Sequence, residues 1–204
     1  MPKLKISKKS IVNFIFLAVC TVLCLVLLYS LSLVFQRAFI YKIKYSEYVE
    51  AYSEKYGVDK YLVYSVIYTE SKFKENAVSP KNAVGLMQLM PETAKYICGK
   101  ISEEYDGERL KEPEFNIMLG VYYLSYLQKR FDNVSEALAA YNAGEGRVAE
   151  WLRGAEYSED GKTLKKIPIK ETDDYVKKVL RAIDKYERLY GQKLGILALC
   201  SGIL

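Results

Sequence analysis

Glu70 has the most chemical promise in the chain, because Val63, Val66, Ile67 and Glu70 recur at i, i+3, i+4 and i+7 along a helical segment. That spacing sets a carboxylate on the face that carries the apolar side chains. Burial disfavours the ionised form, and the helix carboxyl end adds partial negative charge, so both effects are expected to raise the Glu70 pKa. A carboxylic acid still protonated near neutral pH can give its proton to a leaving oxygen. The alternative is a frayed helix end with Glu70 in water or paired to Lys72 or Lys74, and periodicity alone leaves both readings open. Histidine is absent from all 204 residues, which removes Ser-His-Asp and Cys-His catalysis and imidazole-bearing zinc sites. Acid-base work falls to carboxylates, lysine or tyrosine.

The elements that must position Glu70 read as helices. A polar segment from Tyr45 to Tyr56 ends at Gly57, and Asp59 caps a helix running from Lys60 towards Ser71. Residues 71–90 show no sustained alternation and contain Ser79-Pro80-Lys81-Asn82 and Gly85, so a structured loop with at most one short helix is expected. Pro91 opens a short helix that Gly99 is expected to end, and Ile101 to Lys111 reads as a charged surface loop. Pro113 opens a helix whose stretch Phe115 to Gln128 has no charge, which predicts a central buried helix. Val134–Asn142 and Arg147–Leu152 read as two helices hinged at Gly144 and Gly146. Thr172 is expected to cap a last helix with Asp173 and Asp174 in its first turn and an apolar stripe of Val176, Val179, Leu180 and Ile183.

Ahead of these lies Ser10 to Gln36, 27 residues without charge, roughly 40 Å as a helix against a hydrocarbon core of about 30 Å. A retained transmembrane anchor is expected rather than a cleaved signal peptide, whose apolar region is shorter. Lys3, Lys5, Lys8 and Lys9 precede it while Arg37, Lys42 and Lys44 follow, which favours a cytoplasmic amino terminus and an exported remainder by a margin of one lysine. From Arg37 onward 26 basic residues face 25 acidic ones, so the folded part is nearly neutral and a nucleic-acid partner is not expected. Outside the anchor only Cys98 and Cys200 remain, too few for a disulfide framework or a zinc site. Acidic residues are scattered rather than caged, so no metal or other cofactor is expected.

From Tyr45 to Tyr190 the chain resembles the catalytic domain of lytic transglycosylases in four ordered blocks. Glu70-Ser71 with Phe73 is similar to the first. Ala77-Val78-Ser79-Pro80 and Gly85-Leu86-Met87-Gln88-Leu89-Met90-Pro91 resemble the second, Ala139-Ala140-Tyr141-Asn142-Ala143-Gly144 the third, and Glu171-Thr172 with Tyr175 the fourth, with Asn116-Ile117 and Gly120 between them. The resemblance implies an all-α, goose-lysozyme-like helical domain preceded by one N-terminal transmembrane helix: a cytoplasmic tail over 1–10, an anchor over 11–36 and a catalytic domain over 37–204.

It also implies cleavage of the β-1,4 bond between N-acetylmuramic acid and N-acetylglucosamine in peptidoglycan, with Glu70 as general acid and then base. The muramic acid C6 hydroxyl attacks C1, giving a 1,6-anhydro sugar without water. By the same carry-over Ser71, Met87, Gln88, Tyr141, Asn142 and Tyr175 are expected to bind substrate, each beside a duller role. Ser71 can be a helix-end hydroxyl, Met87 core packing and Tyr175 a first-turn aromatic. Two departures stand out: Asn82 replaces a frequent glycine, tolerable if its backbone is left-handed, and Asp173 replaces a frequent basic residue. A hydrolytic muramidase on the same fold, with a loop acid such as Glu75 positioning water, remains an alternative, as does a non-catalytic wall-binding scaffold of an envelope machine.

Overall fold

A computed structural model describes residues 8–191; Lys3, Lys5, Cys200 and the apolar tail 194–204 lie outside the described residues. Contacts divide the chain into two units, one up to Lys42 and one from Ile43 onward. The first is helix α1, Lys8–Phe35, which runs on through a π-helical turn, Gln36–Ile40. It is apolar and long enough to cross a membrane, and none of its residues is buried.

The second unit holds α2 (Ser46–Tyr56), α3 (Lys60–Ser71), α4 (Pro91–Ile101), a 3-10 turn (Glu108–Lys111), α5 (Pro113–Arg130), α6 (Val134–Ala143), α7 (Glu145–Arg153) and α8 (Lys170–Tyr186). Among the described residues there is no β-strand, only isolated bridges. Local chemistry sets most boundaries. Gly57 closes α2 in the left-handed region at φ +69°, and the Asp59 carboxylate accepts from the Tyr61 and Leu62 amides to start α3. Pro91 and Pro113 open α4 and α5, and the Asn133 side chain caps α6 through the Ser135 and Glu136 amides. The uncharged α5 is the centre of the domain: Phe115, Ile117, Leu119, Val121, Leu124 and Leu127 are all buried. It packs against α2 and α6, while α3 lies along α8.

Several expectations need correction. Helix α4 passes through Gly99 and stops at Ser102, which takes φ +57°. A glycine inside a helix costs only about 1 kcal/mol, less than burying Ile97 and Cys98 returns. The stretch after it is not all surface, since Leu110 in the 3-10 turn is buried. Gly144, at φ +92°, makes the turn between α6 and α7, but Gly146 lies within α7. Helix α8 begins at Lys170, so Thr172 is a buried first-turn residue rather than a cap. Its buried stripe is Thr172, Tyr175, Val176, Val179, Ala182 and Tyr186, and Leu180 is exposed.

Residues 72–90 contain no helix. Lys72 and Phe73 both take positive φ immediately after α3, and Asn82 does so at +63°, the left-handed backbone its substitution for glycine requires. The Ser79 hydroxyl accepts from the amides of Lys81 and Ala83 to close that turn. One core side chain fastens the loop at several points. Fully buried Asn116 on α5 accepts from the Met87 amide at 2.8 Å and donates to the carbonyls of Val84 at 3.0 Å and Leu110 at 2.8 Å. Gly85 lies so close that a Cβ there would collide with the Asn116 amide and the Leu110 carbonyl. Asn116→Ala leaves the Met87 amide and the Leu110 carbonyl without a partner, while the Val84 carbonyl still accepts from the Leu89 amide; at about 1–3 kcal/mol for each orphaned group, the expected loss is about 2 kcal/mol or more. Urea unfolding of the variant measures it; a loss below 1 kcal/mol would show that the loop is held by other means.

Candidate active site

Helix α3 delivers Glu70 in its last turn, on the face whose Val63, Val66 and Ile67 are fully buried. The side chain keeps some contact with solvent yet is densely surrounded, and burial raises its pKa to about 7, with the Tyr175 hydroxyl acting the other way. No ion pair among the described residues involves Glu70: Lys72 lies over the Tyr68 ring, 3.4 Å from its centroid. The frayed, lysine-paired helix end is therefore not what the fold produces.

Two tyrosines face this carboxyl. Tyr175, one turn into α8, is buried, and its hydroxyl is directed at Glu70 without closing a well-formed hydrogen bond. Burial and the Glu70 charge push both Tyr175 and Tyr141 well above the usual phenol range, so each stays a neutral hydroxyl. Tyr141, at the end of α6, donates to the Met87 carbonyl at 2.8 Å and packs its ring against Tyr123, with centroids 5.4 Å apart. Beyond Tyr141 opens a cleft of about 230 Å³ walled by Gln88, Met90, Thr93, Tyr123, Tyr141 and Asn142. Polar amides and aromatic rings side by side suit a ligand with both hydroxyl groups and apolar ring faces.

The sequence-derived residues divide on inspection. Gln88, Tyr141 and Asn142 share the cleft; Glu70 and Tyr175 are not among its walls but interact electrostatically with Tyr141, which is. Gln88 takes φ +48° and spends its amide nitrogen on the carbonyls of Ala77 at 3.0 Å and Gly85 at 2.9 Å. Its carbonyl oxygen is the part left to meet a ligand, rather than donor and acceptor both. Met87 is fully buried, and its sulfur fills the space beside Gly120, where a Cβ would clash; its side chain is core, not cleft lining. Ser71 is buried and donates to the Ile67 carbonyl at 3.1 Å, the helix-end role. Glu75 accepts from the Tyr45 hydroxyl at 3.0 Å and lines a different cavity. Asp173 pairs with Lys177 at 2.6 Å, and Glu171 with Lys81 at 3.6 Å.

Sequence reasoning missed Thr93 and Tyr123 as cleft walls, and missed what Thr172 does. Its buried hydroxyl donates to the Asn142 side-chain oxygen at 2.8 Å, so the fourth block steadies the third. A threonine on the apolar face of an amphipathic helix was the available signal. Among the described residues no group of three or more acidic or cysteine side chains could hold a metal.

The family model described as the transglycosylase SLT domain matches residues 47–164. The soluble lytic murein transglycosylase of Salmonella typhimurium is 35% identical over 162 residues, covering 78% of this chain and 25% of the relative. A membrane-bound lytic murein transglycosylase C from Haemophilus ducreyi is 32% identical, covering 70% of this chain and 45% of the relative. Among solved structures, the 70-kDa soluble lytic transglycosylase of Escherichia coli superposes with a TM-score of 0.67 at 31% identity, over 75% of this chain and 25% of that one. The chain thus spans about a quarter of the soluble relatives' length.

The raised pKa of Glu70 carries a stability consequence. A carboxyl with a folded-state pKa near 7 and an unfolded value of 4.5 contributes stability that is complete below pH 4.5 and is lost as pH rises through 7. Glu70→Gln removes that loss. The variant should match the wild type near pH 4 and exceed it by on the order of 2–3 kcal/mol at pH 8; thermal melts across this range check it, and a pH-independent difference would contradict it.

Proposed function

The chain belongs to the transglycosylase SLT domain family, and from that premise we propose that it is a membrane-anchored lytic transglycosylase. It cleaves the β-1,4 bond between N-acetylmuramic acid and N-acetylglucosamine in peptidoglycan, outside the cytoplasmic membrane. The observation that carries this reading is a single carboxyl, Glu70, whose pKa is raised to about 7 and whose charge acts on Tyr141, a wall of an aromatic and amide-lined cleft.

Protonated Glu70 donates its proton to the glycosidic oxygen as the C1–O bond breaks, and the N-acetylglucosamine unit leaves as an alcohol. The muramic acid C6 hydroxyl then attacks C1, and the ionised Glu70 takes the hydroxyl proton. A 1,6-anhydro ring closes, and the enzyme returns to its protonated state with no water consumed. One acid suffices because the nucleophile is already part of the substrate, so proximity replaces the second carboxylate of ordinary glycosidases. Consistent with this, no neighbouring carboxylate contributes to the shift of Glu70, and Glu75, the residue most suited to a water-activating role by sequence, is held by Tyr45. The Tyr175 hydroxyl favours the ionised form, which assists the first proton transfer, the one that leaves Glu70 as a carboxylate. Gln88, Tyr141 and Asn142 bind the sugar, and Met87 and Ser71 support the walls from behind.

The apolar stretch over 11–36, within the 33-residue helix from Lys8 to Ile40, anchors the enzyme. Lys3, Lys5, Lys8 and Lys9 before it, against Arg37, Lys42 and Lys44 after it, favour a cytoplasmic amino terminus by one charge.

Purified sacculi digested with the wild type should yield muropeptides ending in anhydro-muramic acid, one water lighter than reducing ends by mass spectrometry. Glu70→Gln should release none above background while remaining folded; reducing ends would assign a hydrolase instead, and unchanged release by Glu70→Gln would overturn the assignment. Because the first step needs the protonated acid, activity should fall as pH rises above about 7. Tyr175→Phe removes the influence that lowers the pKa and should move that falling limb to higher pH; movement to lower pH would contradict the arrangement.

A further inference from the structure

A second cavity, about 400 Å³, is walled by Lys44, Tyr45, Phe73, Lys74, Glu75 and Asn76, with Ala77 at its edge. It is built rather than incidental. Tyr45 and Phe73 both hold positive φ to form it, and the Tyr45 hydroxyl donates to Glu75 at 3.0 Å, tying the segment before α2 to the segment after α3. The base is the buried Phe73 ring. No ion pair among the described residues engages Lys44 or Lys74, so two exposed ammonium groups and the Asn76 amide border one concavity while its carboxylate is already hydrogen-bonded. That donor set fits an anionic ligand of carboxylate type.

The two cavities adjoin at one contact. Ala77 edges the lysine-lined cavity, and its carbonyl accepts from the Gln88 amide, which walls the sugar cleft, at 3.0 Å. A muramic acid in the cleft carries a peptide on its lactyl ether, and two extended residues of peptide reach about 7 Å, enough to pass that contact. We propose that the Lys44–Lys74 cavity is a subsite for the carboxylates of the peptide stem, so that the enzyme distinguishes peptide-bearing from bare glycan. This rests on the proposed function for the identity of the ligand. The cavity, its charges and its junction with the cleft are independent of it.

The test uses the full-length chain in detergent, wild type against the double substitution Lys44→Ala with Lys74→Ala, and two measurements. Binding of free stem tetrapeptide by calorimetry should weaken roughly fivefold to tenfold in the double variant and recover with Lys44→Arg and Lys74→Arg. Cleavage of peptide-bearing strands should show a raised KM with kcat retained, while strands stripped of peptide by an amidase should be cut equally by both proteins. Equal tetrapeptide affinity, or equal loss on stripped and peptide-bearing strands, overturns the proposal. So does weakened binding to phosphatidylglycerol vesicles with tetrapeptide binding intact, which would assign the lysines to lipid phosphate. If no strand of either kind is cut by the wild type, the proposed function fails, and the tetrapeptide measurement alone still decides this one.

Discussion

Holding a carboxyl group out of water at neutral pH is the constraint on which the rest depends. Removing Glu70 from full hydration raises its pKa to about 7, at a cost to folding that the surrounding apolar packing must offset. Helix α3 meets this by burying its flank from Leu62 to Ile67 and lying against α8. The same contact brings Tyr175 up to the carboxyl. Tyr175 tempers the shift rather than abolishing it, so the group stays within reach of both protonation states, as a residue that gives a proton and then takes one must.

The cleft beside that carboxyl is made of irregular backbone, which a helical core does not organise by itself. Asn116 solves the problem by reaching from the central helix to three backbone groups of the loop and its neighbour. Its amide meets the carbonyls of Val84 and Leu110, and its oxygen the Met87 amide. The Met87 carbonyl then receives the Tyr141 hydroxyl, so a line of hydrogen bonds runs from the core to the residue beside Glu70. On the other rim, Thr172 holds Asn142. Cleft walls from three elements are thus set by buried side chains, not by the loop's own propensity.

Much of this was legible in the sequence where the deciding chemistry is local. Asp59, Gly57, Pro91 and Pro113 act on the backbone within a few residues and give helix boundaries that hold. The position of Glu70 on an apolar face follows from periodicity alone. What was not legible depends on partners distant along the chain. Met87 reads as a cleft residue until Gly120, 33 positions on, is seen to receive its sulfur. Gln88 reads as a two-way hydrogen-bonding amide until Ala77 and Gly85 take its hydrogens. Thr172 reads as a cap because threonine is common there, yet Asn142 claims its hydroxyl. Gly99 misled because a glycine's helix penalty is small beside the burial of its neighbours.

The most direct measurement is the titration of Glu70 itself, by carboxyl carbon-13 shifts in the full chain labelled at glutamate, with Glu70→Gln assigning the resonance. A midpoint near pH 7 is expected. A midpoint near 4.5 would mean that the carboxyl is ionised and hydrated under working conditions, and the site would then lack its proton donor.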